Sequence, residues 1–321
     1  MSPRIIVTRR WPGAVEKVLS EQFGAVLNSS DRPMTQTEIL AAFEDYDIVL
    51  PTVSDQLPAA IFPERPRARM IGNFGVGFSH IDVEAAGRHG IVVTNTPGVL
   101  TDCTADLAMA LMLMIARRTG EGERQVRAGQ WAGWCPTHMI GSRVSGKTLG
   151  IVGMGRIGRA TARRARYGFG MNIVFHNRSR LDDEELHALE ARQLDTVDDV
   201  LANADFVSLH CPGGADNRHL IDAGRIATMR PESFLINTAR GDVVDEEALI
   251  DALECGRIAG AGLDVFANEP VVSERLKMRE NVVLLPHLGS ATEETRRAMG
   301  MKVVENLAAF LDGRQPPDRV A

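Results

Sequence analysis

Three stretches in the second half of the chain carry side chains that can bind an anion and move a proton: Arg240 in "INTARGDVVDEEAL", Glu269 in "GLDVFANEP" and His287 in "LPHLGSAT". Histidine exchanges a proton most readily near neutral pH, and a nearby carboxylate favours its charged form. The planar fork of an arginine matches a carboxylate. Each residue taken singly is also typical of a loop ion pair or a surface position, so the interpretation depends on all three occurring together.

The segment "GKTLGIVGMGRIG" places a G-x-G-x-x-G motif upstream of these stretches. The motif follows a predicted strand, opens a predicted helix and is followed by another strand, which is the context of a dinucleotide-binding loop. Its glycines let the backbone approach a pyrophosphate, whose charge then faces a helix N-terminus. The alternative is a tight turn that binds no ligand. We predict that a cofactor contacts the whole loop: Gly153, Met154, Gly155, Arg156, Ile157 and Gly158.

The stretch "FHNRSR" stands where NAD-binding folds carry an acidic residue that grips the ribose hydroxyls. Asn177 in that place removes the repulsion of a 2′-phosphate, while Arg178, Ser179 and Arg180 supply cations and a hydroxyl donor. The stretch therefore predicts that NADPH is preferred and that NAD can also bind. The alternative is that both arginines are solvated loop charges on an NAD enzyme.

The composition narrows the classes of partner. The 36 basic and 42 acidic residues give a net charge of −6, which offers no electrostatic case for binding nucleic acid or an anionic membrane. Four scattered cysteines without C-x-x-C spacing favour reduced thiols in the cytoplasm over a disulfide frame or a metal site. The longest apolar run, "LAMALMLMIA", is far shorter than the roughly 20 residues that span a bilayer.

The order of apolar runs predicts an α/β fold. In the first hundred residues, "RIIVT", "YDIVLP", "ARMIGNFG" and "GIVVTNTP" alternate with helical patterns, which indicates a parallel sheet. Asp82 is expected to cap a helix that stops at Gly90. A long apolar helix is expected to run from Asp102 or Thr104 through Ile115, followed by a polar excursion over residues 120–145.

The second half predicts a second, doubly wound sheet. Its six predicted strands cover residues 149–152, 172–176, 206–210, 234–237, 260–264 and 282–286. A last amphipathic helix is expected to begin with a capping box of Ser290 and Glu293 and to end at Gly313. We therefore predict two Rossmann-like or flavodoxin-like domains with parallel sheets around a central cleft. Residues 1–99 and 289–321 would form the substrate-binding domain, and residues 100–288 the NAD(P)-binding domain.

The order and spacing of "INTARGDVVDEEAL", "GLDVFANEP" and "LPHLGSAT" after the glycine loop, together with "NFGVGFSHID", closely resemble the D-isomer-specific 2-hydroxyacid dehydrogenases. The resemblance covers nearly the whole chain. Within the family, "QWAGWCPTHMIG" and "HNRSR" make it most similar to the glyoxylate/hydroxypyruvate reductases.

The resemblance implies a role for each candidate residue. Arg240 would bind the carboxylate and keto oxygen of the substrate, and Glu269 would pair with His287, which would protonate that oxygen. Asp264 would hold the nicotinamide carboxamide. Backbone N–H groups of Val76 and Gly77 would bind the substrate carboxylate, and the remaining cofactor contacts would come from Cys211, Pro212, Thr238, Ala239 and Gly289.

The resemblance also implies an assembly and a reaction. Members are usually homodimers, and Trp134 would reach the substrate pocket of the neighbouring subunit and limit substrate size. The chain would reduce glyoxylate and hydroxypyruvate to glycolate and D-glycerate with NADPH. Two alternatives stay open: another D-2-hydroxyacid dehydrogenase, of the D-lactate or phosphoglycerate type, and a nucleotide-sensing binding protein similar to the corepressors with this fold.

Overall fold

The computed structural model describes residues 3–320, which divide into two compact units. The first unit contains the described residues up to Leu100 and those from Ala291 onward, and the second is Thr101–Ser290. These limits lie within two residues of the predicted domain boundaries. In the described part of the chain, no helix combines the length and the apolar character needed to cross a bilayer.

The elements alternate in the way expected of an α/β protein. The strands are β1 (Ile5–Val7), β2 (Ile48–Leu50), β3 (Met70–Gly72), β4 (Val92–Thr94), β5 (Thr148–Val152), β6 (Asn172–His176), β7 (Arg192–Gln193), β8 (Phe206–Leu209), β9 (Phe234–Asn237), β10 (Gly260–Leu263) and β11 (Val282–Leu284). The helices are α1 (Gly13–Phe23), α2 (Gln36–Asp45), α3 (Val83–Arg88), α4 (Thr101–Ala116), α5 (Thr119–Arg127), α6 (Arg156–Phe169), α7 (Glu184–Ala188), α8 (Val197–Asn203), α9 (Ala223–Ile226), α10 (Glu246–Glu254), α11 (Glu274–Lys277) and α12 (Glu293–Leu311). Short 3₁₀ turns lie at Ala59–Ile61, Ala215–Asn217 and Gly241–Val243.

The first unit is built on a parallel sheet of order β1-β2-β3-β4, and a bridge from Ile6 to Val26 adds a short edge beside β1. This gives the strand order of a flavodoxin-like sheet. Apolar clusters cover both faces, with α1 and α12 on one side and α2 and α3 on the other. Helix α12 packs closely because Gly72 has no side chain: a Cβ there would lie 2.9 Å from Val303. The expected parallel sheet is therefore confirmed.

Of the two helix caps predicted in the first unit, the structure confirms one and contradicts the other. The Asp82 carboxylate accepts the N–H of Ala85 at 2.8 Å and caps α3, as predicted. Helix α12, however, is capped by Thr292, whose hydroxyl accepts the N–H of Thr295 at 3.2 Å, and not by Ser290. The expected capping box was wrong because α12 begins two residues later, which places Thr292 at the extended position that a cap requires.

The second unit contains a seven-stranded parallel sheet of order β11-β10-β9-β8-β5-β6-β7. The six predicted strands are confirmed with ends within two residues, and β7 was missed because it contains only two residues. The strand order reverses between β5 and β8, which is where doubly wound sheets bind ligands. The polar excursion predicted over residues 120–145 begins within α5, which buries none of its residues.

Candidate active site

Each of the three glycines in the loop between β5 and α6 has a different structural role. Gly153 adopts a left-handed φ of +97°, and a Cβ there would lie 2.8 Å from the backbone nitrogen of Cys211. A Cβ on Gly158 would lie 2.4 Å from the carbonyl oxygen of Gly153, so this glycine lets α6 pack against the turn. Gly155 has open space beside it, which leaves its backbone accessible. This arrangement is the one that a bound pyrophosphate requires.

The N-terminus of α6 is suited to an anion. Gly155 is its N-cap and provides no side-chain hydrogen bond to the first turn, which contains no acidic residue. Arg156 is exposed in that turn. Met154 is 1% exposed and packs in the core, so it can offer a ligand only its backbone atoms. The residues present therefore fit the phosphates of a dinucleotide.

Residues 177–180, called here the cofactor loop, follow β6. The side-chain nitrogen of Asn177 donates to the Ser179 hydroxyl at 3.1 Å. Arg178, Ser179 and Arg180 are exposed. One nitrogen of Arg178 lies 3.6 Å from a carboxylate oxygen of Asp216, and among residues 3–320 Arg180 forms no ion pair.

The side chain of Gln193 forms hydrogen bonds to the cofactor loop that the sequence did not reveal. Gln193 in β7 donates through Nε2 to the carbonyls of Asn177 (3.3 Å) and Ser179 (3.0 Å), and its Oε1 accepts the N–H of Leu181 at 2.8 Å. Glutamine carries no motif signal, and its three partners lie 12 to 16 residues away, so no sequence pattern could have identified it.

Three groups at the switch point beside the glycine loop, those of His210, Cys211 and Pro212, carry no charge. Burial raises the pKa of the Cys211 thiol to about 11, so the sulfur keeps its proton at neutral pH. Burial also lowers the pKa of His210 to about 4, which keeps its ring neutral beside the Ser208 hydroxyl at 2.9 Å. The carbonyl of Pro212 accepts a hydrogen bond from Asn217 at 2.9 Å. No negative charge from these groups therefore opposes a phosphate.

The turn after β9 is held by hydrogen bonds to the buried side chain of Asn237, which no sequence motif marks. Asn237 is 1% exposed, donates to the Arg240 carbonyl at 2.9 Å and accepts the N–H of Ala239 at 3.0 Å. The hydroxyl of Thr238, which is also buried, has no hydrogen-bond partner within the described chain. A buried hydroxyl without a partner is unfavourable, so it fits a place where a ligand supplies one.

Arg240 is held by close backbone packing on two sides. A Cβ on Gly213 would lie 2.9 Å from Cβ and Cγ of Arg240, and a Cβ on Gly241 would lie 2.0 Å from the Phe266 carbonyl group. Burial lowers the pKa of Arg240, and the charges of Glu269 and Asp242 oppose that shift. Because arginine stays protonated in proteins, the site keeps a partly desolvated cation.

His287 and Glu269 form the predicted acid pair. His287 donates through Nδ1 to Glu269 Oε2 at 2.8 Å, and Glu269 Oε1 accepts the N–H of Phe266 at 3.0 Å. Burial alone would raise the pKa of Glu269, but the hydrogen bond and charge of His287 and the Phe266 N–H outweigh it and lower that pKa. Since Nδ1 faces the carboxylate, Nε2 is the nitrogen left to meet a substrate.

Asp264 fixes the loop that carries His287. It is 1% exposed, and its two carboxylate oxygens accept the N–H groups of Leu288 (2.6 Å) and Gly289 (2.8 Å). Burial raises its pKa, although these two hydrogen bonds act in the opposite direction. The carbonyl of Gly289 accepts the Thr104 hydroxyl at 3.0 Å. Asp264 therefore positions His287, while its predicted contact with a carboxamide stays a prediction.

In the first unit, the loop that contains Val76 and Gly77 has backbone N–H groups that are free to bind a ligand. Asn73 donates to the carbonyls of Gly75 (3.1 Å) and Gly77 (3.0 Å), and Asn95 donates to that of Val76 at 2.8 Å. The N–H groups of Val76 and Gly77 have no acceptor among residues 3–320. With its carbonyls occupied, such a loop is suited to bind an anion.

The structure brings most predicted residues of the second unit to one edge of its sheet. Arg240, Glu269 and His287, called here the catalytic edge, lie in the loops that follow β9, β10 and β11, as do Thr238, Ala239, Asp264 and Gly289. Val76 and Gly77 belong to the first unit. Trp134 lies in the segment after α5 with 82% of its surface exposed.

Comparison with known proteins gives a consistent result. The family model of the D-isomer specific 2-hydroxyacid dehydrogenase, NAD binding domain, matches residues 109–289. The chain is 43% identical to a glyoxylate reductase of Thermococcus litoralis, over 100% of this chain and 97% of that one. A glyoxylate reductase of Pyrococcus furiosus is 44% identical, with 100% and 96% covered.

Solved structures agree in fold. An NADPH-dependent glyoxylate/hydroxypyruvate reductase from Sinorhizobium meliloti, in complex with NADP and malonate, superimposes with a TM-score of 0.88 at 36% identity, covering 100% of this chain and 97% of that one. A putative D-isomer specific 2-hydroxyacid dehydrogenase from a Polaromonas species gives a TM-score of 0.91 at 38% identity, with both chains covered completely.

Proposed function

The chain belongs to the D-isomer-specific 2-hydroxyacid dehydrogenase family, and from that premise we propose that it reduces glyoxylate and hydroxypyruvate to glycolate and D-glycerate, with NADPH preferred over NADH. Full-length similarity to glyoxylate reductases supports the substrates. The NADP bound to the Sinorhizobium relative and the cations of the cofactor loop support the preferred cofactor.

The observation that carries this proposal is the 2.8 Å hydrogen bond between His287 Nδ1 and Glu269 Oε2. Reduction of a 2-oxo acid needs a hydride on the keto carbon and a proton on the keto oxygen. When bound, the reduced nicotinamide supplies the hydride. His287 donates the proton from Nε2, and the Glu269 carboxylate holds the ring in the orientation that this requires.

Arg240 supplies the anion anchor in this scheme. Its guanidinium binds the substrate carboxylate and stabilises negative charge that develops on the keto oxygen, an effect worth a few kcal/mol at comparable oxyanion sites. The free N–H groups of Val76 and Gly77 in the first unit are a further set of donors suited to a carboxylate. In this assignment the first unit is the substrate-binding domain and the second the NAD(P)-binding domain.

Four side chains of the segment that contains α5 support a homodimer. Val126, Trp131, Trp134 and Ile140 each expose more than half of their surface. Apolar side chains in such a group are stabilised when another chain covers them. We assign the cover to a second copy of this chain, with Trp134 lining the neighbouring substrate pocket. A cytoplasmic location stays a prediction that rests on the cysteine pattern.

The reaction is tested by steady-state kinetics with glyoxylate, hydroxypyruvate, pyruvate and phenylpyruvate, each with NADPH and with NADH. We expect the highest kcat/KM with glyoxylate or hydroxypyruvate and NADPH. Higher efficiency with pyruvate or phenylpyruvate would favour another member of the family. Absence of turnover with every pair, in a protein that binds NADPH, would favour a nucleotide-sensing binding protein.

The dimer is tested by mixing Trp134→Ala subunits with His287→Ala subunits. If Trp134 acts in the neighbouring site, each heterodimer contains one intact site and one site that lacks both groups. Discrimination against bulky 2-oxo acids should then return in the mixture. Discrimination that stays relaxed, or a monomer in sedimentation at micromolar concentration, would contradict the arrangement.

A further inference from the structure

We propose that Gln193 determines cofactor specificity by positioning the cofactor loop. Its side-chain amide turns the carbonyls of Asn177 and Ser179 inward, so that the loop presents hydrogen-bond donors to the 2′-phosphate of NADPH. This inference rests on the proposed preference for NADPH and names the residue that creates the site for the distinguishing phosphate.

The orientation of the Gln193 amide is fixed by chemistry. The Leu181 N–H, 2.8 Å from Oε1, can donate only to an oxygen, so the amide nitrogen must lie on the opposite branch. That nitrogen has two hydrogens, and the carbonyls of Asn177 and Ser179 accept them at 3.3 and 3.0 Å. All the hydrogen-bonding groups at the tip of Gln193 are therefore used to shape one loop.

The consequence for a phosphate is electrostatic. A carbonyl oxygen that faced the phosphate would repel it, and Gln193 occupies the two carbonyls on either side of Arg178. The backbone N–H groups of Arg178, Ser179 and Arg180 have no acceptor within the described chain. Free N–H groups in a turn, beside two arginine side chains, form an anion-binding surface.

The same device occurs at the other two loops proposed to face negative charge. Asn73 and Asn95 take up the carbonyls around Val76 and Gly77, and Asn237 takes up the carbonyl of Arg240. In each loop an amide side chain binds the acceptors of the backbone and leaves donors or a cation for the ligand. This recurrence favours a binding role for Gln193 over a purely structural one.

The test uses the full-length protein and four forms: unmodified, Gln193→Met, Gln193→Glu, and Gln56→Met as a control at an exposed position in the first unit. Methionine keeps the length of the side chain but forms none of the three hydrogen bonds. Glutamate keeps an acceptor for the Leu181 N–H but has no donors. Calorimetry measures the Kd of 2′,5′-ADP and of 5′-AMP, which differ only in the 2′-phosphate. Steady-state kinetics gives kcat and the KM for each reduced cofactor.

For Gln193→Met we expect the preference for 2′,5′-ADP over 5′-AMP to fall about tenfold, with the KM for NADPH raised to the same degree. The Kd of 5′-AMP, the KM for NADH, kcat and the melting temperature should stay near those of the unmodified protein. Gln193→Glu should lose more of the preference than Gln193→Met, because a negative charge is added. Gln56→Met should change none of these quantities.

Two results overturn the inference alone. One is an unchanged preference in Gln193→Met, and the other is an equal loss of affinity for both nucleotides, which would indicate that Gln193 only maintains the fold. If the unmodified protein binds 2′,5′-ADP and 5′-AMP equally, the proposed NADPH preference fails and this inference fails with it.

Discussion

The catalytic edge and the cofactor loop belong to the same sheet but differ in how far their charged side chains are exposed. At the catalytic edge, Asp264 is 1% exposed and two main-chain hydrogen bonds to its carboxylate fix the loop of His287. In the cofactor loop, the Arg178 side chain is 77% exposed and approaches Asp216 only to 3.6 Å. Proton transfer depends on exact distances, whereas recognition of a phosphate depends on charge and on backbone donors turned toward the ligand. Changes in the first region should therefore alter kcat, and changes in the second should alter cofactor affinity.

The largest effect is expected for His287→Ala. Loss of the proton donor should lower kcat by roughly 10²–10⁴-fold, while the Kd of NADPH stays the same. His187→Ala, at an exposed histidine that pairs with Asp182, is the matched control. Stopped-flow and steady-state reduction of glyoxylate provide the measurement. A loss of less than about fivefold would mean that another group supplies the proton.

Arg240→Lys comes next. The planar fork of Arg240 donates through Nη1 to the Ala239 carbonyl at 2.6 Å, and in the proposed scheme its other donors bind the substrate, which a lysine cannot reproduce. We expect kcat/KM for glyoxylate to fall by about 10²-fold. Arg257→Lys serves as the control because Arg257 also donates to a main-chain carbonyl, that of Ala227. Retained efficiency would place carboxylate binding elsewhere, for example at the amides of Val76 and Gly77.

The double variant Arg178→Ala/Arg180→Ala tests the opposite region. Loss of two charged hydrogen bonds to the 2′-phosphate should raise the KM for NADPH by tens-fold and leave kcat and the KM for NADH little changed. Arg65→Ala/Arg69→Ala, at exposed positions of the first unit, is the control pair. A fall in kcat with both cofactors would break the comparison, because the cofactor loop would then contribute to the chemical step.

The smallest effect is expected for Asp216→Asn. This change removes the carboxylate that competes with a phosphate for Arg178, but exposed ion pairs are weak. The KM for NADPH should fall by about twofold to threefold, with no change for NADH. Asp312→Asn, which breaks an exposed pair with Arg314, controls for net charge. A raised KM for NADPH would show that Asp216 instead supports the loop.

The parts of the fold that repeat a strong local pattern were predictable. Runs such as those of β5 and β8 are buried on both faces of a parallel sheet, so they read as continuous apolar segments between glycines and polar turns. The glycine loop was predictable because the motif records the steric needs of Gly153 and Gly158. The pairing of Glu269 with His287, expected from the family resemblance, is confirmed by their 2.8 Å hydrogen bond.

What could not be predicted depends on contacts between distant residues. Strand β7 exists because Arg192 and Gln193 pair with β6, and no apolar run marks it. Gln193, Asn237 and Asn73 donate hydrogen bonds to backbone carbonyls. Every residue has such a carbonyl, so the sequence does not show which ones these side chains contact. Helix α5 lies in a polar segment and buries no residue, so it has no apolar face to reveal it.

The pH dependence of Glu269→Gln tests most directly whether the catalytic edge works as a coupled acid pair. The amide oxygen of the introduced glutamine can still accept the Phe266 N–H, so the loop should keep its shape. The hydrogen bond and the charge of His287 help to lower the pKa of the Glu269 carboxyl, so this side chain carries a negative charge beside the ring. Glu269→Gln removes that charge and keeps the size of the side chain.

The measurement is kcat/KM for glyoxylate reduction between pH 5 and 10, at saturating NADPH, for the unmodified protein, Glu269→Gln and the control Glu84→Gln at an exposed position in α3. We predict that the pH at which reduction falls to half moves toward acid in Glu269→Gln alone. An unshifted midpoint in Glu269→Gln would contradict the account, since the reaction would then not depend on the charge of Glu269.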